Sequence, residues 1–325
     1  MPQLECFESE RVLREPGAGE ISPCEPTYEV AGPAGAPVIV VLGGISATRH
    51  VTANHADPRP GWWNDIVGDG GTIDTTTHRV LGVDFLDGGR ARDGRPARTV
   101  TTHDQAAAVA AALDAIGVAQ AAAFVGASYG GMVALAFAET YPHRVERVVA
   151  ISAPHEPHPM STALRALQRR VVELGLATGH SREAMSIARG IAMTTYRSGR
   201  EFAGRFDTEP VERGSGWAAF PVERYLRAHG ERFAERWAAE RFLALSLSAD
   251  LHRVEPAAIS TPTTLISAEG DTIVPREQLE TLAQRLAGPA RLVDLPSIRG
   301  HDAFLTEPAT LGPILERALS TMILT

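Results

Sequence analysis

The chain has no lysine: all 31 of its Lys-plus-Arg residues are arginine. That excludes Schiff-base chemistry on a lysine amine and a phosphate-binding loop built around one. Cysteine is almost as scarce. Cys6 and Cys24 fit neither a disulfide framework nor a C-x-x-C metal site, and no metal centre is expected. No apolar run reaches the roughly 18 residues that a membrane-spanning helix needs. The first 17 residues carry acids and no apolar core, so a secretory signal is not expected either. A basic excess is also missing: 31 basic against 39 acidic residues leave a net charge of −8, which argues against a general nucleic-acid binder. What the chain does have is 44% hydrophobic and 22% charged side chains over 325 residues, ample for a globular core. The expectation is a cytoplasmic enzyme with no nucleic-acid or membrane partner.

Short apolar runs closed by Gly or Asp mark strands buried on both faces of a parallel sheet. They occur at 37–42, 79–84, 121–126, 145–152, 262–268 and 291–295, and helical patterns at 101–113, 131–140, 277–286 and 311–322 alternate with them. That order predicts an α/β fold with a mostly parallel sheet. Between residues 156 and 250 the rhythm breaks. Amphipathic stretches at 161–174, 182–192 and 231–245 predict a helical lid inserted into a core formed by residues 1–155 and 251–325.

Gly126-Ala127-Ser128-Tyr129-Gly130 matches G-x-S-x-G where an apolar strand meets a helix. In that setting a strained turn holds the serine hydroxyl above the sheet edge, and the glycines let backbone and helix pass without Cβ atoms. A serine needs a base, and the base an orienting acid. His301 lies in a loop after the last strand, and Asp271 just past the strand ending at Ala268. The order Ser128, Asp271, His301 is that of an α/β-hydrolase triad, with Glu269 and Asp302 as rival acids. The two oxyanion-binding amides are expected from Tyr129 and, in the loop after the first strand, Ile45.

At these residues the chain resembles the MetX-like homoserine O-acyltransferases of the α/β-hydrolase fold. Pro60-Gly61-Trp62-Trp63, the run from Gly68 to Thr75, Ser128 to Met132, Arg189 with Thr195-Tyr196-Arg197-Ser198, and Gly300 to Leu305 are each similar to a family motif. The resemblance implies transfer of an acyl group from acyl-CoA, a co-substrate rather than a resident cofactor, to the γ-hydroxyl of L-homoserine. An acyl-Ser128 intermediate, a ping-pong route, a place in methionine biosynthesis and a homodimer are implied with it. By the same resemblance Arg189 binds the amino-acid carboxylate, Tyr196 helps position it, and Asp302 accepts its ammonium. Arg189 and Tyr196, seven residues apart on a helix, project from one side.

The chain departs from the acetyl-transferring members in the loop from Gly43 to His50 and at Tyr129. Arg49 in that loop is a permanent cation, which would pair with the second carboxylate of succinyl-CoA and lie idle with acetyl-CoA. Succinyl-CoA is therefore the expected donor. Homoserine O-acetyltransfer, serine O-acylation and ester hydrolysis by the same triad are the alternatives.

Overall fold

The apolar runs build one seven-stranded sheet in the computed structural model, which describes residues 26–320. The expectations for Cys6, Cys24 and the opening segment lie outside the described residues. The strands are β1 (Tyr28–Ala31), β2 (Val38–Leu42), β5 (Arg79–Val83), β6 (Ala123–Ala127), β7 (Val148–Ile151), β10 (Thr263–Ala268) and β11 (Ala290–Leu295). Their order is β1-β5-β2-β6-β7-β10-β11, and every pairing is parallel except β1 with β5. Two short pairs lie apart: β3 (Val67–Gly68) with β4 (Ile73–Asp74), and β8 (Glu212–Gly214) with β9 (Trp217–Ala219).

β2, β6 and β10 are buried at every residue, as central parallel strands must be when helices cover both faces. The two-residue period divides β2 between the layers. Val38, Val40 and Leu42 pack with α1 (Thr102–Ala115), α2 (Tyr129–Thr140) and α8 (Arg276–Arg285). Ile39 and Val41 pack instead with Trp63, Phe304 of α9 (Ala303–Thr306), and α10 (Pro308–Ser320).

Between β7 and β10 the chain leaves the sheet for α3 (Pro159–Thr178), α4 (Ser181–Tyr196), α5 (Gly199–Arg205), α6 (Pro221–Arg236) and α7 (Ala239–Leu251). The expected helix at 231–245 is two helices, broken at Trp237 and Ala238, both extended. No breaker residue marks that junction. It is set by packing: Trp237 stacks on Phe233 with rings 5.4 Å apart and carries the Arg241 guanidinium on its face. α5 and the start of α6 did have local signals. Ser198 caps Glu201, and Pro221 stands at the first turn of α6 with Glu223 accepting from the Phe220 amide. Among the described residues no helix is long and apolar enough to cross a membrane.

Candidate active site

Ser128, Asp271, His301 and Ile45 all follow the carboxyl ends of parallel strands, where open α/β sheets gather their functional groups. Ser128 sits between β6 and α2 with φ 54° and ψ −119°, a conformation that costs a non-glycine residue on the order of 1–3 kcal/mol. The close approach around it requires glycine. A Cβ on Gly126 would lie 2.3 Å from the Gly130 carbonyl oxygen, and one on Gly130 would lie 2.3 Å from that of Leu42. The Gly130 amide donates to Gly43 at 2.9 Å and so fixes the elbow to the loop that carries Ile45.

The Ser128 hydroxyl lies 2.7 Å from His301 Nε2, and His301 Nδ1 donates to Asp271 Oδ2 at 2.8 Å. The second oxygen of Asp271 accepts from the amides of Ile273 and Val274 at 2.9 and 3.0 Å, so the carboxylate cannot rotate away. His301 and Asp271 are both buried. Burial alone would lower the imidazole pKa. The adjacent Asp271 charge and hydrogen bond, helped by Asp302, outweigh it, and the net shift is upward. Of the rival acids, Glu269 pairs with Arg200 at the surface and Asp302 pairs with Arg197. The arrangement can remove a serine proton and stabilise the imidazolium that results.

Ser128 and His301 line a cleft together with Ile45, Tyr129 and Tyr196. Among the described residues neither the Ile45 nor the Tyr129 amide has a hydrogen-bond acceptor, so both are free to meet an oxyanion. The Tyr129 ring turns into the core, edge-on to Phe85, with its hydroxyl 2.6 Å from Ser248 Oγ. Burial raises that phenol's pKa and keeps it neutral.

Arg189 and Tyr196 do meet on α4, but only Tyr196 lines the cleft; Arg189 stands behind its ring, and Asp302, beside His301, is likewise outside the lining. The guanidinium carbon lies 5.2 Å from the Tyr196 ring centre and 5.0 Å from that of Phe233, and no acid pairs with it among the described residues. Tyr196 in turn lies 5.9 Å from the His301 ring. Asp302 is less open than expected. It stands 3.1 Å from Arg197 Nε, and Arg197 also reaches the buried Glu201, so an arriving ammonium has to share Asp302 with that guanidinium. Burial raises the Asp302 pKa against the opposing pull of Arg197.

Arg49 is a correction. Its guanidinium pairs with Asp84 just past β5, its amide donates to the same carboxylate at 2.8 Å, and its side chain is half-exposed and does not line the cleft. Steric fit holds the loop there: a Cβ on Gly82 would lie 2.1 Å from the Arg49 carbonyl oxygen, so the Arg49 backbone is pressed against β5, and Asp84 just beyond that strand takes the guanidinium. The sequence reading missed a different arginine. Arg165 on α3 lines the cleft, one turn from Ser161 and Gln168. Ser161, Arg165 and Gln168 share one helix face, but Thr162, Arg169 and Arg170 are polar too, so the spacing alone does not single out Arg165.

The whole arrangement, a mostly parallel sheet with a serine elbow and a histidine–aspartate relay at its carboxyl edge, defines an α/β-hydrolase. The family model described as "alpha/beta hydrolase fold" matches residues 37–308. A homoserine O-succinyltransferase from Xanthomonas campestris pv. campestris is 42% identical over 294 residues, covering 90% of this chain and 78% of that protein. A serine O-succinyltransferase from Litchfieldella anticariensis is 31% identical, covering 93% and 94%. The crystal structure of a homoserine O-acetyltransferase from Bacillus anthracis superposes with a TM-score of 0.81, covering 92% of each chain at 18% identity. The chain belongs to the α/β-hydrolase family and, within it, to the homoserine and serine O-acyltransferases.

Proposed function

We propose that the protein is a homoserine O-succinyltransferase that moves a succinyl group from succinyl-CoA to the γ-hydroxyl of L-homoserine, in methionine biosynthesis. The observation that carries this reading is the 42% identity, over 90% of the chain, to a protein of that name.

In the first half-reaction His301 Nε2 takes the Ser128 proton as Oγ attacks the thioester carbonyl. The oxyanion forms between the Ile45 and Tyr129 amides. It collapses with cleavage of the carbon–sulfur bond, and His301 returns the proton to the departing thiolate. In the second, His301 takes the proton of the homoserine hydroxyl, whose oxygen attacks the acyl-serine. The ester product leaves, and the proton returns to Ser128. Arg189 holds the acceptor's carboxylate, Tyr196 orients it and Asp302 receives its ammonium. The unpaired, ring-stacked guanidinium of Arg189 supports that assignment.

Residues 156–250 act as a lid over a core of 1–155 and 251–325, limiting the access of water to the acyl-enzyme. The reaction uses no bound cofactor, and the protein works in the cytoplasm as a homodimer. Met160, Leu167 and Leu174 support the dimer: these exposed apolar side chains recur every seven residues along α3.

The test is thiol release from succinyl-CoA with and without homoserine. Release that depends on homoserine supports transfer. Release that needs only water indicates an esterase, and release that depends on serine redirects the acceptor.

A further inference from the structure

One corner of the cleft has a charge that the scheme above does not use. α3 lines it with Ser161, Leu164, Arg165 and Gln168, and Arg165 is the one permanently charged side chain in the described lining, which holds no acid. Behind it lies Asp250, with a side chain only 6% exposed. Asp250 accepts from Arg165 Nε at 2.6 Å and from Arg169 Nη1 at 2.6 Å. Two guanidiniums on one carboxylate leave one positive charge in excess in a corner largely screened from water.

The two arginines differ in what remains to them. Arg169 also donates to the carbonyl and hydroxyl oxygens of Ser246. Arg165 has no hydrogen-bond acceptor other than Asp250 among the described residues: its Nε bonds that carboxylate, while its Nη2, 2.6 Å from the same oxygen, is buried without a hydrogen bond. The Gln168 side chain, 5% exposed, makes no hydrogen bond with any described residue either. An excess positive charge beside a carboxamide with no partner among the described residues makes a site that an anion would complete. Leu164, Ala249 and Ile273 line the same cleft and provide apolar walls for a short methylene chain.

We propose that Arg165, held by Asp250 and joined by Gln168, binds the distal carboxylate of a dicarboxylic acyl donor, the role that the sequence had suggested for Arg49. The inference rests on the acyltransferase reading and deepens it: it names the group that separates a succinyl donor from an acetyl one. Asp250 fixes the guanidinium plane, so Arg165 meets the incoming carboxylate with its geometry already set.

The experiment isolates the first half-reaction. Acylation of Ser128 by succinyl-CoA and by acetyl-CoA, without homoserine, is followed by rapid quench and intact mass for the wild type, Arg165→Leu and Arg165→Lys. In Arg165→Leu, Asp250 keeps its Arg169 partner and the helix keeps a strong helix former, and circular dichroism checks the fold. The succinyl-to-acetyl ratio of second-order rate constants should fall by about 10- to 100-fold in Arg165→Leu, the size expected for a charge-assisted hydrogen bond. Arg165→Lys, which restores a cation, should recover part of it. A ratio within about threefold of wild type in a folded Arg165→Leu overturns the inference, because a cation serving the acceptor or coenzyme A cannot distinguish these donors. If the wild type accepts neither donor, the acyltransferase reading fails and takes this inference with it.

Discussion

The indole N–H of Trp63 donates to the carbonyl oxygen of Phe304 at 2.9 Å, joining segments 241 positions apart. Trp63 is 3% exposed and Phe304 follows His301 by three residues, so this bond ties the Pro60–Trp63 turn to the loop bearing the candidate base. Trp63→Phe leaves a buried carbonyl unsatisfied and should lower stability by about 1–3 kcal/mol. Urea denaturation measures it. A midpoint equal to wild type would show that the bond contributes nothing to the fold.

Ser128 is a strained position as well as the candidate nucleophile. Ser128→Ala should abolish acylation and keep the strain, whereas Ser128→Gly should abolish it and relieve the strain. The glycine variant should therefore be more stable than the alanine variant by about 1 kcal/mol, less any added chain entropy of glycine in the unfolded state. Equilibrium unfolding of the pair decides this, and equal stability would mean that the elbow stores no strain.

The His301–Asp271 pair sets a pH dependence. The serine can be deprotonated only by neutral imidazole, and the folded pKa is raised above the ordinary 6.5. Acylation should therefore rise with pH through a midpoint above that value and level off beyond it. Asp271→Asn removes the charge that holds the pKa up, so its midpoint should move down while the plateau falls by orders of magnitude. The pH profile of kcat/KM for the donor tests both, and a wild-type midpoint below 6.5 contradicts the assignment.

Arg49→Ala should leave the succinyl-to-acetyl ratio unchanged. It should also cost less than about 1 kcal/mol of stability, because its pair with Asp84 is half in solvent. Donor kinetics beside thermal unfolding check this, and a large fall in the ratio would return the donor-reading role to Arg49.

The contrast between Arg49 and Arg165 shows how far the sequence could be read. Ser128, Asp271 and His301 were legible because each stands at a strand end in a fixed chain order, and strand ends are marked by local glycine and apolar patterning. Arg49 and Arg165 carry no such mark. Which arginine faces the cleft depends on how α3 rolls over the sheet and on Asp250, 85 residues beyond Arg165. β1 was missed for a similar reason, since its four mixed residues become a strand only by pairing with β5 across the intervening chain. The same holds for the break between α6 and α7, which arises from aromatic stacking.

The central claim, succinyl transfer through Ser128, is tested most directly by the mass of the peptide carrying Ser128 after exposure to an equimolar mixture of acetyl- and succinyl-CoA. A succinyl adduct that persists in buffer and disappears on adding homoserine, with succinylated homoserine appearing in step, is the predicted result. An acetyl adduct, no adduct, or an adduct lost equally fast without homoserine would contradict it.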